Sequence, residues 1–368
     1  MLAKALHDND SGLWPPAIVA AFDETNKGYI KLKKSWIFIF LAVILCVIFL
    51  VSLSLGKYPA AISDIVRLFA GKINAAWNPA PDKLAVLENL IYEIRLPRIL
   101  AAILIGAGLS VSGAAFQAMF VNPLVSPSLL GVLAGSSFGA ALGMVMGGSY
   151  LLIQALSFVF GCFAVLLSIF IASIHKGNSL LLLVLGGVIS GAFFTSLLSV
   201  LKYIADPYNQ LPAITHWLMG SLSFSDKSTL FAASFPIIAG LLIMLLFSGY
   251  INALSLGDDE AKALGVPVAK IRFGLIGVAT AVSAMTVVLA GIIGWVGLVI
   301  PHVSRMIVGP DNKRLIPVCA LIGASYLLAV DNVSRLAFDV EIPIGITTSL
   351  IGIPFFVILL RQAKRGWS

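Results

Sequence analysis

Long apolar segments alternate with short polar ones along almost the whole chain after residue 34. A helix that crosses a bilayer needs about 20 predominantly apolar residues, and about ten runs approach or exceed this length. They lie at roughly 35–55, 97–120, 125–146, 150–173, 179–201, 229–249, 270–291, 294–307, 315–337 and 343–361. This pattern predicts an all-α integral membrane protein with about ten transmembrane helices per subunit.

The eighth run, 294–307, is too short to cross a bilayer as an upright helix. Irregular or re-entrant backbone is tolerated at membrane depth only where protein or a water-filled cavity covers it. We therefore expect a broken or partly re-entrant segment here, and the number of complete crossings depends on it.

Composition supports a membrane protein and changes little else. The 368 residues are 59% hydrophobic and 11% charged, with a mean hydropathy of +1.02, which excludes an ordinary water-soluble globule. The net charge of +7 does not require a nucleic acid partner, because surplus Lys and Arg on one side of a membrane orients the chain.

Basic residues flank both ends of the apolar region: Lys31, Lys33, Lys34, Arg361, Lys364 and Arg365. The positive-inside rule therefore predicts that both termini are cytoplasmic, in agreement with an even number of spans. Residues 1–34 are interpreted as a cytoplasmic N-terminal extension and residues 35–365 as the transmembrane permease domain. The first span is expected to be retained, because the polar region before it is too long for a simple signal peptide.

Metal chemistry is not expected in this chain. The three cysteines stand singly in apolar runs, and the four histidines are scattered, with no zinc-type or HExxH spacing. Charges inside the membrane are rare, and Asp331 and Arg335 are the main exception. They are four residues apart and can pair on one helix, either as a structural salt bridge or in a functional role.

Small residues concentrate on two of the runs, among them Gly106, Gly108, Gly113, Gly186, Gly187 and Gly191. Such residues allow helix backbones to approach closely. They indicate a tight helix bundle, with a lining for a translocation path as the alternative.

Two connecting segments have the character of surface helices. Residues 256–267 carry acids in a first turn and end on Gly265 and Pro267, which predicts a short cytoplasmic helix suited to docking another protein. Residues 206–223 predict an interfacial helix on the outer face, anchored by Trp217.

Several ordered motifs resemble one permease family. They are Arg95-Leu96-Pro97-Arg98, Gly113 to Gln117, Asn122-Pro123-Leu124, Glu260 to Gly265, Gly297 to His302, and Glu341 to Gly345. In this order they resemble the permeases of iron-chelate importers, the FecCD type, which includes the cobalamin permease. The likeness covers roughly residues 35–365, and the set is far more specific than any one motif.

The resemblance implies an ATP-binding cassette importer in a bacterial or archaeal cytoplasmic membrane. The permease would work as a homodimer with two cytoplasmic ATPase subunits and an extracytoplasmic substrate-binding protein, by alternating access. The chain has no GxxxxGK[ST] phosphate loop, so a partner must hydrolyse ATP. We therefore expect no cofactor in this chain and no enzyme activity of its own, with ATP and magnesium bound by the ATPase.

The resemblance also implies site residues in three roles: docking of the binding protein, coupling to the ATPase, and the translocation path with its gate. The expected sockets for carboxylates of the binding protein are Arg95, Arg98 and Arg335, a role that suits the forked donors of arginine. The expected contacts for ATPase coupling are Asp258, Asp259, Glu260, Ala261, Leu264 and Gly265. The expected residues of the translocation path and gate are Gln117, Asn122, Asn178 and Ser179. Leu180 and Leu181 depart from the small hydroxyl residues that the cobalamin permease has near its gate.

An iron chelate, either a siderophore or haem, is the expected substrate by family frequency, with cobalamin or a molybdate-type or tungstate-type oxyanion as alternatives. Two other classes of protein are alternatives to the importer, and each requires residues that this sequence would have to supply. An ion-coupled secondary transporter would need ligands for the coupling ion near the midplane, where acids are scarce. A membrane enzyme would need a catalytic set, and no His or acid has the spacing of one.

Overall fold

The computed structural model describes residues 34–58, 60–74, 79–174, 179–223 and 227–363. The predicted N-terminal extension, except Lys34, lies outside the described residues, and so does the predicted gate residue Asn178.

The described part of the chain is built from α-helices. They are α1 (Lys34–Ser54), α2 (Ile62–Gly71), α3 (Pro81–Glu88), α4 (Leu96–Met119), α5 (Val132–Val145), α6 (Tyr150–Ser173), α7 (Ser179–Ile204), α8 (Gln210–Leu218), α9 (Lys227–Leu246), α10 (Ser248–Leu254), α11 (Asp258–Ala263), α12 (Val268–Ala290), α13 (Val296–Val308), α14 (Asn312–Leu336) and α15 (Ile344–Ala363). A π-helical turn, Asn89–Arg95, joins α3 to α4, and a 3-10 turn, Pro127–Leu130, precedes α5.

Each of the ten predicted apolar runs contains a helix, which confirms the all-α membrane architecture. By length and composition, seven helices in the described residues are long and apolar enough to cross a membrane. The three shorter apolar helices are α5, α13 and the searched part of α15, Ile344–Ile358.

The eighth run is interrupted, as the sequence predicted. Helix α13 has 13 residues and spans only about 20 Å at 1.5 Å per residue, against a hydrocarbon core of about 30 Å. Residues 291–295 before it are not helical. Protein covers this break, because Gly220, in the segment after α8, and Gly345, in α15, both pack against the carbonyl of Ile292.

Helices α4 and α14 are antiparallel and form the centre of the bundle. The first turn of α4 meets the last turns of α14 through Arg98 and Asp331. We call this end of the bundle the arginine end. The opposite end carries α10 and α11, and we call it the coupling end, because the predicted coupling residues lie there.

Glycines set the helix spacing at two crossings of α4. A Cβ atom on Gly106 would lie 2.2 Å from the carbonyl oxygen of Gly323, and one on Gly113 would lie 1.8 Å from that of Gly297. Both distances are far inside van der Waals contact, so only glycine fits. Gly186 and Gly187 meet the backbones of Ser168 and Leu129 in the same way. At these positions the small residues serve close packing.

The surface helices differ from the sequence prediction in their bounds. Helix α8 covers 210–218, a shorter stretch than the predicted 206–223, because Asp206 accepts from the Asn209 amide in the turn before the helix, and Gly220, with φ +74°, follows its end. Helix α11 begins at Asp258 and ends before Gly265, which has φ +78°, as its sequence signals predicted. Helices α2 and α3, before α4, were not predicted.

The glycine contacts give a direct test of packing. We expect Gly113→Ala to lower the thermal stability of the detergent-solubilised protein, because the Gly297 backbone cannot move aside as a side chain would, and overpacking costs about 1–3 kcal/mol. Gly277→Ala is the matched control on α12, where a Cβ meets nothing within 4 Å. That variant should be neutral or stabilising, since Ala is the better helix former. Equal melting temperatures for the two variants would contradict the close contact.

Candidate functional site

Arg95 is the last residue of the π-helical turn and lies two residues before Pro97. A proline ring clashes with the carbonyl four residues earlier in a regular α-helix, and a widened turn relieves that clash. The Arg95 guanidinium points inward and donates to the carbonyls of Leu53, Ser54 and Tyr58. Arg95 is only 3% exposed, so its main contact is with the end of α1 and the segment after it.

Arg98 joins two carboxylates from other segments. Its Nη2 lies 2.7 Å from Asp331 Oδ1, and its Nη1 donates to Glu341 Oε2 at 3.1 Å. Ser223 also donates to Glu341, at 2.9 Å. Burial alone would raise the pKa of the Glu341 carboxyl, but the hydrogen bonds and charge of Arg98 hold that pKa below its usual range. The charges therefore hold α4, α14 and two loops together.

Arg335 completes this network on α14. Its Nε lies 3.1 Å from Asp331 Oδ2, so the pair predicted four residues apart is present. Asp331 has no exposed surface and is held between two guanidinium groups. Beside Arg335 opens a cavity of about 600 Å³ whose lining includes Lys57 and Asp339.

The structure places the three predicted docking arginines at one end but in different settings. Arg95 and Arg98 are buried and bonded within the subunit, and they do not extend toward lipid headgroups. Arg335 borders an open cavity. The docking role stays a prediction, and on Arg98 a partner carboxylate would meet a guanidinium already occupied by Glu341.

At the coupling end, Arg272 of α12 fixes the start of α11. Its Nη1 donates to Asp258 Oδ2 at 2.9 Å and its Nη2 to the other oxygen. Arg272 is 3% exposed, and its hydrogen bonds lower the pKa of the Asp258 carboxyl. Ala261, fully buried, packs the same helix onto the bundle. The helix is thus held by one charged and one apolar contact.

The other predicted coupling residues face outward. Asp259 and Glu260 are exposed, and Leu264 is 65% exposed although it is apolar. Leu256, just before the helix, is 60% exposed. Two exposed leucines beside a rigid acidic helix present a mixed apolar and acidic surface to a protein partner.

Two predicted path residues meet in a cavity of about 250 Å³ at the coupling end. Gln117 and Asn122 line it together with Ser255, Arg305 and Asn312. Arg305 Nη2 donates to Gln117 Oε1 at 2.9 Å, and Gln117 Nε2 donates to the carbonyl of Leu298 at 3.2 Å. The amide of Gln117 thereby links α4 to α13.

Of the two predicted gate residues, Ser179 begins α7, while Asn178 lies outside the described residues. Sequence analysis missed Arg272, Arg305 and the role of Glu341. A cation within an apolar run is itself a signal, and it would have singled out Arg305. No sequence spacing connects Arg98 to Glu341, which is 243 residues away.

We expect Arg98→Gln to lower the free energy of unfolding by roughly 3–5 kcal/mol, because it leaves the Glu341 carboxylate short of a partner and weakens the compensation of buried Asp331. The control is Lys72→Gln, which breaks an exposed salt bridge to Glu88 and should change stability by at most about 1 kcal/mol. Denaturant unfolding in micelles, followed by circular dichroism, measures both. Similar losses of unfolding free energy in the two variants would show that the buried network contributes no more to stability than an exposed salt bridge does.

The Asp258–Arg272 pair predicts a pH dependence for α11. The pKa of Asp258 is lower in the folded state than its usual value, so the pair stabilises the helix fully above about pH 3.9 and loses this effect only as the pH falls through the lower folded value. Hydrogen exchange over residues 256–267, corrected for intrinsic rates, should show constant protection from about pH 7 down to about pH 4.

Asp258→Asn should reduce that protection throughout the range, whereas Asp259→Asn, whose side chain is 94% exposed, should not. A wild-type loss of protection well above pH 4 would mean that another group controls the helix.

Comparison with known proteins identifies the family of this fold. A family model described as the FecCD transport family matches residues 44–362. The chain is 41% identical over 327 residues to the molybdate import system permease protein MolB of Haemophilus influenzae, covering 89% of this chain and 95% of that protein. It is 38% identical over 285 residues to a "Probable iron chelatin transport system permease protein" of Helicobacter pylori, covering 77% and 86%.

A solved structure agrees with this assignment. The fold matches a structure described as "An inward-facing conformation of a putative metal-chelate type ABC transporter", with a TM-score of 0.80 and 39% sequence identity, over 89% of this chain and 99% of that one. With a family match across nearly all of the membrane helices and relatives well above 30% identity, the chain belongs to the FecCD transport family and is a multi-pass membrane permease of the ABC importer type.

Proposed function

We propose that this chain is the membrane subunit of an importer in which two copies pair with two ATPase subunits and receive substrate from an extracytoplasmic binding protein. The observation that carries the proposal is the exposed segment from Asp258 to Gly265, anchored to the bundle by Arg272. ATP binding would close the ATPase dimer, and this segment would pass that movement into α12. The permease then alternates between outward and inward access.

The segment from Asp258 to Gly265, called here the coupling segment, suits this role because one side is attached to the helix bundle and the other side is exposed. A segment can transmit movement only if it is attached to the helices that have to move. The Asp258–Arg272 pair and the buried Ala261 supply that attachment. The exposed Leu264 and Leu256 supply apolar area for contact. Burying these side chains against a partner would stabilise the contact through the hydrophobic effect.

The opposite end suits a binding protein with acidic contact residues. Arg335 and Lys57 are the cations in the lining of the open cavity, and 12% of the Arg335 side chain is exposed. Arg98 becomes available to a partner carboxylate only if Glu341, whose side chain is 32% exposed, gives up its place. Docking would then exchange one carboxylate for another without leaving Arg98 unpaired, which keeps the cost of opening the network low.

For the substrate we propose an oxyanion of the molybdate type as first candidate. The Haemophilus influenzae relative is a molybdate permease, and the similarity spans 95% of its length. An iron chelate, favoured by family frequency in the sequence, is the second candidate, and the Helicobacter pylori relative supports it. A secondary transporter is disfavoured by the family match and by the scarcity of acids in the described membrane helices, where Asp331 lies near the end of α14 and is paired with Arg98 and Arg335.

We expect proteoliposomes that hold this chain, with the ATPase and binding protein encoded beside it, to accumulate radiolabelled molybdate only when ATP is present. Uptake of a ferric siderophore instead would select the second candidate. Uptake driven by an ion gradient without ATP would reject the importer.

In the same system, Leu264→Glu should weaken association with the ATPase at least about ten-fold, the effect of losing about 1.4 kcal/mol at an interface anchor. The matched control is Ile73→Glu, an exposed apolar residue at the arginine end, which should leave that association unchanged. Retained coupling in the Leu264 variant would place the ATPase contact elsewhere.

A further inference from the structure

The cavity at the coupling end is lined by a cation that has no anionic partner among the described residues. Arg305 lies in the last turn of α13, and its side chain lines the cavity beside Gln117. A guanidinium has five N–H donors. Among the described residues, only one hydrogen bond from Arg305 is formed, to Gln117 Oε1, and no carboxylate lies within 4.0 Å of it.

A partly buried charge without a counter-charge is costly, and in a membrane protein it marks a functional position. The acid nearest in the chain, Asp311, does not serve as the partner. Its Oδ1 accepts from Asn252 Nδ2 at 2.8 Å and from the Lys313 amide at 3.1 Å, and its Oδ2 lies 3.8 Å from Arg314. A cation in the last turn of a helix also offsets the helix dipole, but that role does not require a cavity in front of it.

A second donor faces the same space. Asn122 lines the cavity, and its Oδ1 accepts from the amide of Leu124 at 2.9 Å. Its Nδ2 has no acceptor within the described part of the chain. Val121, also in the lining, has φ +49°, a left-handed conformation that is strained for a β-branched residue. Strain of this kind is found where a binding site must be held in shape.

The volume limits the size of a ligand. About 250 Å³ is below the ~300–1,000 Å³ of pockets for drug-sized ligands and several times the ~30 Å³ of one water molecule. A tetrahedral oxyanion fits with part of its hydration shell, whereas a siderophore, haem or cobalamin does not.

We propose that this cavity binds a tetrahedral oxyanion of the molybdate class, with Arg305 as the charged anchor and the Asn122 amide as a second donor. The site deepens the proposed function and rests on it for the route by which the anion arrives. A forked guanidinium matches two oxygens of such an anion. One partly exposed arginine gives weak binding, which suits a transit position near the exit, because a tight site would retain the substrate.

The test is equilibrium binding of radiolabelled molybdate to the purified full-length permease in nanodiscs at low ionic strength. The wild type should bind saturably, with tungstate as a competitor. Arg305→Gln should weaken binding at least about ten-fold, and Arg305→Lys should lose less, because it keeps the charge but not the fork. Arg314→Gln is the matched control, since Arg314 is at the same end, pairs with Asp311 and lies outside the cavity lining.

The proposal is overturned if the wild type shows no saturable binding up to about 10 mM, a concentration at which even a millimolar site would be mostly filled. It is also overturned if Arg305→Gln binds as the wild type does, or if that variant loses only its association with the ATPase, because the occupant is then a partner carboxylate. The uptake assay separates the two proposals. Molybdate uptake without binding at Arg305 leaves the importer intact and removes this site. Binding at Arg305 in a system that imports only an iron chelate keeps the site and rejects molybdate as the imported substrate.

Discussion

The carboxylate of Asp331 has no contact with solvent and lies between the guanidinium groups of Arg98 and Arg335. A buried carboxylate is tolerated only where cations and hydrogen bonds replace its hydration, so the three residues have to stay together. Through Arg98 the network reaches Glu341 and Ser223. The arrangement of the arginine end thus depends on one buried acid near the end of α14.

The same constraint fixes α1 to the centre of the bundle. Asn332, next to Asp331, accepts from Arg335 and donates to Ser52 of α1 at 2.6 Å. Arg95 donates to the carbonyls at the end of α1, and a Cβ on Gly56 would lie 2.5 Å from its Nη2. An unpaired carbonyl in a membrane is costly, so Arg95 stabilises the end of α1 as well as placing a charge. Arg95 and Arg98, which the sequence predicted as docking sockets, therefore also stabilise the fold. A substitution at either residue can change stability as well as docking.

Much of the fold was predictable because apolar length is a local property of the sequence. The ten runs, the interruption before α13 and the stop at Gly265 follow from length, hydropathy and glycine, and all three are present. Helix α8 is shorter than predicted because the Asp206 side chain accepts from the backbone of the turn before the helix and Gly220 follows its end. The family motifs included Glu341 but not its partner. Ion pairs such as Arg98–Glu341 and Asp258–Arg272 depend on how helices pack, which no spacing in one chain shows. Arg305 was missed for a different reason. It lies three residues after the Gly297 to His302 motif, and the family resemblance was based on the motif alone.

Helix α4 links the two ends of the molecule. It carries Arg98 in its first turn and Gln117 in its last, and its glycines meet the backbones of α14 and α13 without intervening side chains. Backbones in direct contact cannot slide past each other without breaking that contact, so α4, α14 and α13 behave as one packed unit. A displacement of Arg98 at one end is then accompanied by a displacement of Gln117 and, through its hydrogen bond, of Arg305 at the other. We therefore expect the access change of the proposed importer to occur between this unit and the other helices, with the charged groups at both ends of α4 moving together with the unit.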